Sequence, residues 1–197
     1  SSDLVGIWSG HVAVVGDNPY LFYTGVNKAR AAIGLAKSNS PFDIWTKNTP
    51  PVITSAPTTG YTHADFRDPF VFQHNLDWYM MIGSGLRSGT SRGALYLYKS
   101  TSSDFKQWSP QGTMLEGNPS VDGTGEFWEM PVYYNFGAKS IVLINKLPNA
   151  NALYWTGNFN GSQFVKDNPV PERLDVINQL LSPSIHPDAN GNLTAIG

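Results

Sequence analysis

Apolar residues in this chain come in short runs, rich in β-branched and aromatic side chains, with Gly, Pro, Asn, Asp or Ser between them. That pattern predicts strands rather than helices. Residues 11–15 and 20–24 flank Gly16-Asp17-Asn18-Pro19, residues 70–73 and 78–82 flank His74-Asn75-Leu76-Asp77, and residues 132–136 and 140–144 flank Gly137-Ala138-Lys139. Each pair reads as a β-hairpin. No long segment sustains a 3.6-residue apolar period, and residues 172–181 are the best candidate for a short helix.

Each hairpin is followed by the same kind of continuation. Ile33-Gly34-Leu35-Ala36-Lys37-Ser38-Asn39-Ser40 runs on to Phe42 and Trp45, and Leu95-Tyr96-Leu97-Tyr98-Lys99-Ser100-Thr101-Ser102 runs on to Phe105 and Trp108. Leu153-Tyr154-Trp155-Thr156 continues through Asn160-Gly161 to Phe164. The unit is hairpin, strand, turn, strand, recurring about every 60 residues, and four-stranded units in series are the plan of a β-propeller. The predicted units are residues 9–65, 66–127 and 128–181, with the start of a next one at 182–197. About three blades and part of a fourth do not close a ring. The chain therefore reads as all-β, an incomplete propeller belonging to a longer parent, and its open blade edges predict self-association. Trp45 and Trp108 recur at equivalent places and are expected to pack in the core.

Composition narrows the function. Across 197 residues, 41% are hydrophobic, which is enough for a sizeable core, and 14% are charged with a net charge of -2. No basic surface exists for a nucleic-acid backbone, and no apolar run approaches the roughly 20 residues of a membrane span. Neither nucleic acid nor membrane is expected as a partner. Cysteine is absent, so thiolate chemistry and disulfides are excluded. The four histidines, His11, His63, His74 and His186, have no paired metal-ligand spacing, and neither metal nor cofactor is expected. The glycine-rich segment 83–89 superficially resembles a phosphate loop, but a strand follows it rather than a helix, so it reads as a flexible blade loop.

The candidate chemistry lies where charges interrupt an apolar strand. In His63-Ala64-Asp65-Phe66-Arg67-Asp68-Pro69-Phe70-Val71-Phe72, Arg67 and Asp68 stand directly before a proline that has to sit at a strand start, an edge or a bulge. One repeat later Glu129 stands in Trp128-Glu129-Met130-Pro131. Since the first strand of each propeller blade lines the central channel, Ser9-Gly10, Asp68, Glu129 and Ser182-Pro183 are expected to crowd around one axis. Two carboxylates converging beside aromatic surface suit glycoside chemistry, in which one acid protonates the leaving oxygen and another carboxylate attacks or stabilises.

Three ordered motifs, Trp8-Ser9-Gly10, Phe66-Arg67-Asp68-Pro69 and Trp128-Glu129-Met130-Pro131, with Tyr23-Thr24-Gly25 between the first two, resemble glycoside hydrolase family 32, the invertases, inulinases and levanases. The resemblance implies a five-bladed propeller and a retaining β-fructofuranosidase acting on sucrose or fructan oligosaccharides. It makes Glu129 the general acid/base and Asp68 the transition-state stabiliser, both catalytic. Arg67, Trp8, Ser9 and Trp128 become substrate-binding residues. Such substrates favour a secreted or periplasmic setting. The family's nucleophile lies in an Asn-Asp-Pro motif that does not occur in this chain, so the 197 residues alone are expected to be inactive or nearly so. Met130 stands where the family usually has cysteine. The competing readings are a related five-bladed glycosidase for arabinan or xylan, and a non-catalytic carbohydrate-binding propeller.

Overall fold

The computed structural model describes residues 3–28, 30–39, 42–57, 66–87, 89–175, 177, 180–190 and 192–197. His63, Ser40, the end of the first predicted unit (58–65) and Ser88 of the glycine-rich segment lie outside the described residues. The first sheet is an antiparallel meander of β1 (Gly6–Val15), β2 (Asn18–Val26), β3 (Ala31–Ser38) and β4 (Trp45–Lys47). The second repeats that order with β5 (Phe66–His74), β6 (Asp77–Leu86), β7 (Arg92–Ser100) and β8 (Trp108–Glu116). A single helical turn, α1 (Pro119–Asp122), leads into the third sheet, β9 (Phe127–Asn135), β10 (Ser140–Leu147), β11 (Asn151–Phe159) and β12 (Phe164–Lys166). There β13 (Glu172–Arg173) also pairs with β11. A hairpin of β14 (Ser184–Pro187) and β15 (Leu193–Ile196) ends the described chain.

The three hairpins appear at the predicted places. Val15 pairs with Asn18 and His74 with Asp77, leaving two-residue turns, and Gly16 (φ 58°) and Asn75 (φ 56°) take the left-handed backbone such turns require. The repeat extends to the outer turn of the first two sheets, where Phe42 (φ 74°) and Phe105 (φ 59°) each accept an indole N–H from the tryptophan three residues on.

Sheets stack face to face, and the middle one is buried on both sides. Along β6, Met80 and Ile82 join Phe22, Ile33 and Phe66 in one cluster, whereas Tyr79 and Met81 join Trp128, Tyr133 and Ile144 in another. Strand alternation sends successive side chains to opposite faces, so a strand covered on both faces reads as a continuous apolar run. This accounts for Trp78-Tyr79-Met80-Met81-Ile82.

Two expectations are corrected. Gly83–Leu86, read as loop, is the buried end of β6. A Cβ on Gly83 would stand 2.5 Å from the Trp128 carbonyl oxygen, so glycine here permits close approach of two sheets rather than flexibility. The predicted helix at 172–181 begins instead as β13, and its other described residues are not helical. Glu172 and Arg173 pair instead with Tyr154 and Leu153 along β11.

Candidate active site

All three sheets interrupt their first strand in the same way. Pairing skips Ser9 between Trp8 and Gly10, Asp68-Pro69 between Arg67 and Phe70, and Met130-Pro131 between Glu129 and Val132. Each interruption leaves one residue more on the inner strand than on its partner, which is a β-bulge, and bulges re-aim side chains. Asp68 (φ 59°), Met130 (φ 47°) and Ser182 (φ 49°) take left-handed backbone, and each is followed by proline, which needs no ladder partner. That is the physical reason for the charged interruption in Phe66-Arg67-Asp68-Pro69.

The bulges meet around one cavity of about 440 Å³, lined by Trp8 and Ser9 of β1, Arg67 and Asp68 of β5, Glu129 and Met130 of β9, and Ser182. Arg67 organises it. Its Nη2 and Nε donate to Glu129 Oε1 at 2.5 and 3.1 Å, its Nε lies 3.9 Å from Asp68 Oδ2, and its guanidinium stacks 3.9 Å above the Phe127 ring. Trp8 is 48% exposed, with its ring centroid 6.0 Å from the same guanidinium. An exposed indole beside a charged cluster offers a flat apolar face to the pocket.

Asp68 is buried, 6% exposed. Its backbone N–H donates to Thr24 Oγ1 at 2.8 Å, and its Oδ2 accepts the Met130 N–H at 3.1 Å. Burial pushes the Asp68 carboxyl above the ordinary carboxylate range; the Met130 N–H and then the Arg67 guanidinium pull it back, and the Glu129 charge pushes it further up.

The structure brings Trp8, Ser9, Arg67, Asp68 and Glu129 together, and it does not bring Trp128. The Trp128 side chain is fully buried, donates its indole N–H to the Thr124 carbonyl at 2.9 Å and packs on Trp155. As the neighbour of Glu129 on one strand it points to the opposite face, so the expected sugar contact is replaced by a core role. His11 does not line the pocket; it is stacked on Phe70 at 4.0 Å and accepts the Val71 N–H at 3.3 Å. Phe127 and Asn145 are parts of the arrangement that sequence reasoning missed, and Thr24, quoted there only within Tyr23-Thr24-Gly25, was given no role in the site. Phe127 could have been found two residues before Glu129, on the same strand face. A separate cavity of about 360 Å³ near Tyr20 and Lys37 holds one acid, Asp104, already paired with Lys106 at 3.0 Å.

Comparison with known proteins gives a consistent picture. The family model described as the glycosyl hydrolases family 32 N-terminal domain matches residues 1–197. The insoluble isoenzyme 2 of β-fructofuranosidase from Oryza sativa subsp. indica is 33% identical over 144 residues, 68% of this chain and 22% of that protein. A mutant Bombyx mori β-fructofuranosidase, solved with sucrose, superimposes with a TM-score of 0.74 at 26% identity, covering 94% of this chain and 41% of the other. Fructan 1-exohydrolase IIa of Cichorium intybus, solved with 1-kestose, shares the fold with a TM-score of 0.79 at 23% identity, over 98% of this chain and 40% of its own. The chain thus spans about a fifth of the length of the rice relative it matches.

Proposed function

Because the chain belongs to glycosyl hydrolase family 32, matched across residues 1–197, we propose that the protein carrying it cleaves β-fructofuranosyl linkages in sucrose or fructan oligosaccharides, and that Asp68 and Glu129 do the chemistry. The observation that carries this reading is the meeting of two carboxylates, from bulges of neighbouring sheets, with one arginine in a single sugar-sized cavity.

Each residue has a physical task. The Asp68 carboxylate has Oδ2 engaged by the Met130 N–H, which leaves Oδ1 to accept hydroxyls of the fructosyl unit, contacts that strengthen as positive charge develops on the ring. Glu129 donates a proton to the departing glycosidic oxygen as the C–O bond breaks, and takes one from water in the second half of the reaction. Arg67 holds Glu129 in register beforehand, and both its stack on Phe127 and its fork of donors limit where the carboxylate can swing. Trp8 supplies the apolar platform. The attacking group of a retaining reaction is assigned to neither Asp68 nor Glu129.

The test is fructose release from sucrose and inulin by the protein carrying this chain, in wild-type form and as Glu129→Gln. We expect release by the wild type and at least a hundredfold loss of kcat/KM in the variant. Sugar binding without turnover by the wild type would sink the enzymatic reading in favour of a carbohydrate-binding propeller.

A further inference from the structure

The three left-handed residues that precede a proline around the pocket share a second property. Each has its backbone N–H held by a side chain of the preceding sheet. Thr24 Oγ1 accepts from Asp68 at 2.8 Å, Asp68 Oδ2 from Met130 at 3.1 Å, and Asn145 Oδ1 from Ser182 at 3.1 Å. Thr24 and Asn145 also occupy one register position: Thr24 pairs with Trp8, the residue before the first bulge, and Asn145 pairs with Glu129, the residue before the third. In the second sheet that position, opposite Arg67, is Gly83, where a Cβ would collide with the Trp128 carbonyl. A side chain cannot be placed there, and Asp68 itself supplies the missing acceptor from the bulge.

Thr24 is the most constrained member of the set. It is fully buried, and its hydroxyl is used in both directions: it accepts the Asp68 N–H and donates to the Ser9 carbonyl at 3.2 Å. One hydroxyl therefore ties the bulge of β1 to the bulge of β5, and both bulge residues line the pocket. Serving as donor and acceptor at once is something valine, its isostere in shape, cannot do. The Asp68 N–H is held by the Thr24 hydroxyl, and a left-handed backbone persists only where its surroundings over-determine it.

We propose that Thr24 is a positioning residue for the pocket: its hydroxyl fixes the Asp68 backbone, and through Asp68 Oδ2 the Met130 amide next to Glu129. Thr24 touches no substrate. Its effect is to hold the two carboxylates at one separation, so that Asp68 Oδ1 meets the sugar while Glu129 faces the departing oxygen. The proposal rests on the fructosidase reading for its kinetic consequence, but the latch itself is a property of the backbone.

The experiment compares Thr24→Val and Thr24→Ser in the protein carrying this chain. Thr24→Val keeps the shape and removes the hydroxyl; Thr24→Ser restores it. The expected result is a loss of about tenfold to a hundredfold in kcat/KM for Thr24→Val, measured on the folded fraction and carried mainly by kcat, since sub-ångström misplacement of reacting groups acts on the transition state more than on binding. Thr24→Ser is expected within about threefold of wild type, as the conservative rescue of the same hydrogen bonds. In parallel, amide hydrogen exchange at Asp68 is expected to quicken at least tenfold in Thr24→Val and not in Thr24→Ser. Wild-type kcat/KM in Thr24→Val, or equal losses in both variants, would overturn the proposal. So would unchanged Asp68 exchange. Should the wild type release no fructose from either substrate, the functional reading fails, and the exchange comparison alone decides for or against the latch.

Discussion

Replacing Asp68 by Asn and by Ala separates two tasks that the structure gives to one side chain. Asn keeps the size, keeps an oxygen that can accept the Met130 N–H, and is at ease in left-handed backbone; it loses only the charge. Ala loses the acceptor and places a Cβ-bearing residue without local hydrogen bonding at φ 59°. The left-handed conformation costs an Ala roughly 1–2 kcal/mol, and leaving the partly buried Met130 N–H unpaired costs about 1–3 kcal/mol. The two together put Asp68→Ala roughly 2–5 kcal/mol below Asp68→Asn, which for a domain of this size is a gap on the order of 5–15 °C in Tm.

The charge has its own pH signature. Burial raises the folded-state value of Asp68 above its ordinary 3.8, so the folded protein binds this proton more tightly than the unfolded chain does. Wild-type stability from this group therefore falls as pH rises from the ordinary carboxylate value through the raised one. Asp68→Asn is free of that loss. Its Tm is expected at or above wild type at pH 7, with the difference shrinking on acidification towards pH 4, while fructose release falls at least a hundredfold in both variants. Calorimetry between pH 4 and 7, with initial-rate assays, makes the check. Equal Tm values for the Asn and Ala variants would refute the argument from the Met130 hydrogen bond and the left-handed backbone, and wild-type turnover in Asp68→Asn would refute the site.

Three further outcomes are expected. Arg67→Lys keeps a charge but loses the fork on Glu129 and the stack on Phe127, so kcat/KM should fall about tenfold to a hundredfold, matching the loss of a charged hydrogen bond; steady-state rates within twofold of wild type would contradict this. Gly93→Ala would put a Cβ 2.2 Å from the Trp128 indole, and because that ring is fully buried and hydrogen-bonded it cannot step aside; denaturant unfolding should show a loss of about 1–3 kcal/mol. His11 is held down to about 4 by burial, with His186 adding repulsion, so stability present above the ordinary 6.5 is lost as pH falls through about 4; His11→Gln should flatten that decline in an unfolding series from pH 7 to 4, and a parallel curve would count against it.

Much of the sheet architecture was legible in order along the chain. Three hairpins, the third and fourth strands that follow each, and the phenylalanine–tryptophan pairs of the outer turns all announce themselves through apolar runs and turn residues, which are local properties. The convergence of Arg67, Asp68 and Glu129 was also readable, because residues one repeat apart on first strands have to meet at a common axis. Residue chemistry and neighbour preference carry both signals.

What tertiary structure alone decided is where side chains point once sheets face one another. Trp128 and Glu129 are adjacent in sequence, yet alternation and the bulge at Met130 send one into the seam beneath Gly93 and the other into the pocket. Gly83–Leu86 carries the composition of a loop, and only the approach of the Trp128 and Glu126 carbonyls shows why glycine occupies a strand there. Thr24, an ordinary strand residue by any local measure, becomes the tie between two bulges because Ser9 and Asp68, far apart along the chain, each present a backbone group to its hydroxyl. Sequence determined the elements, since strands and turns follow from short-range preference; the folded packing decided the site, since hydrogen-bond partners and exposure exist only after distant segments have been brought within a few ångströms.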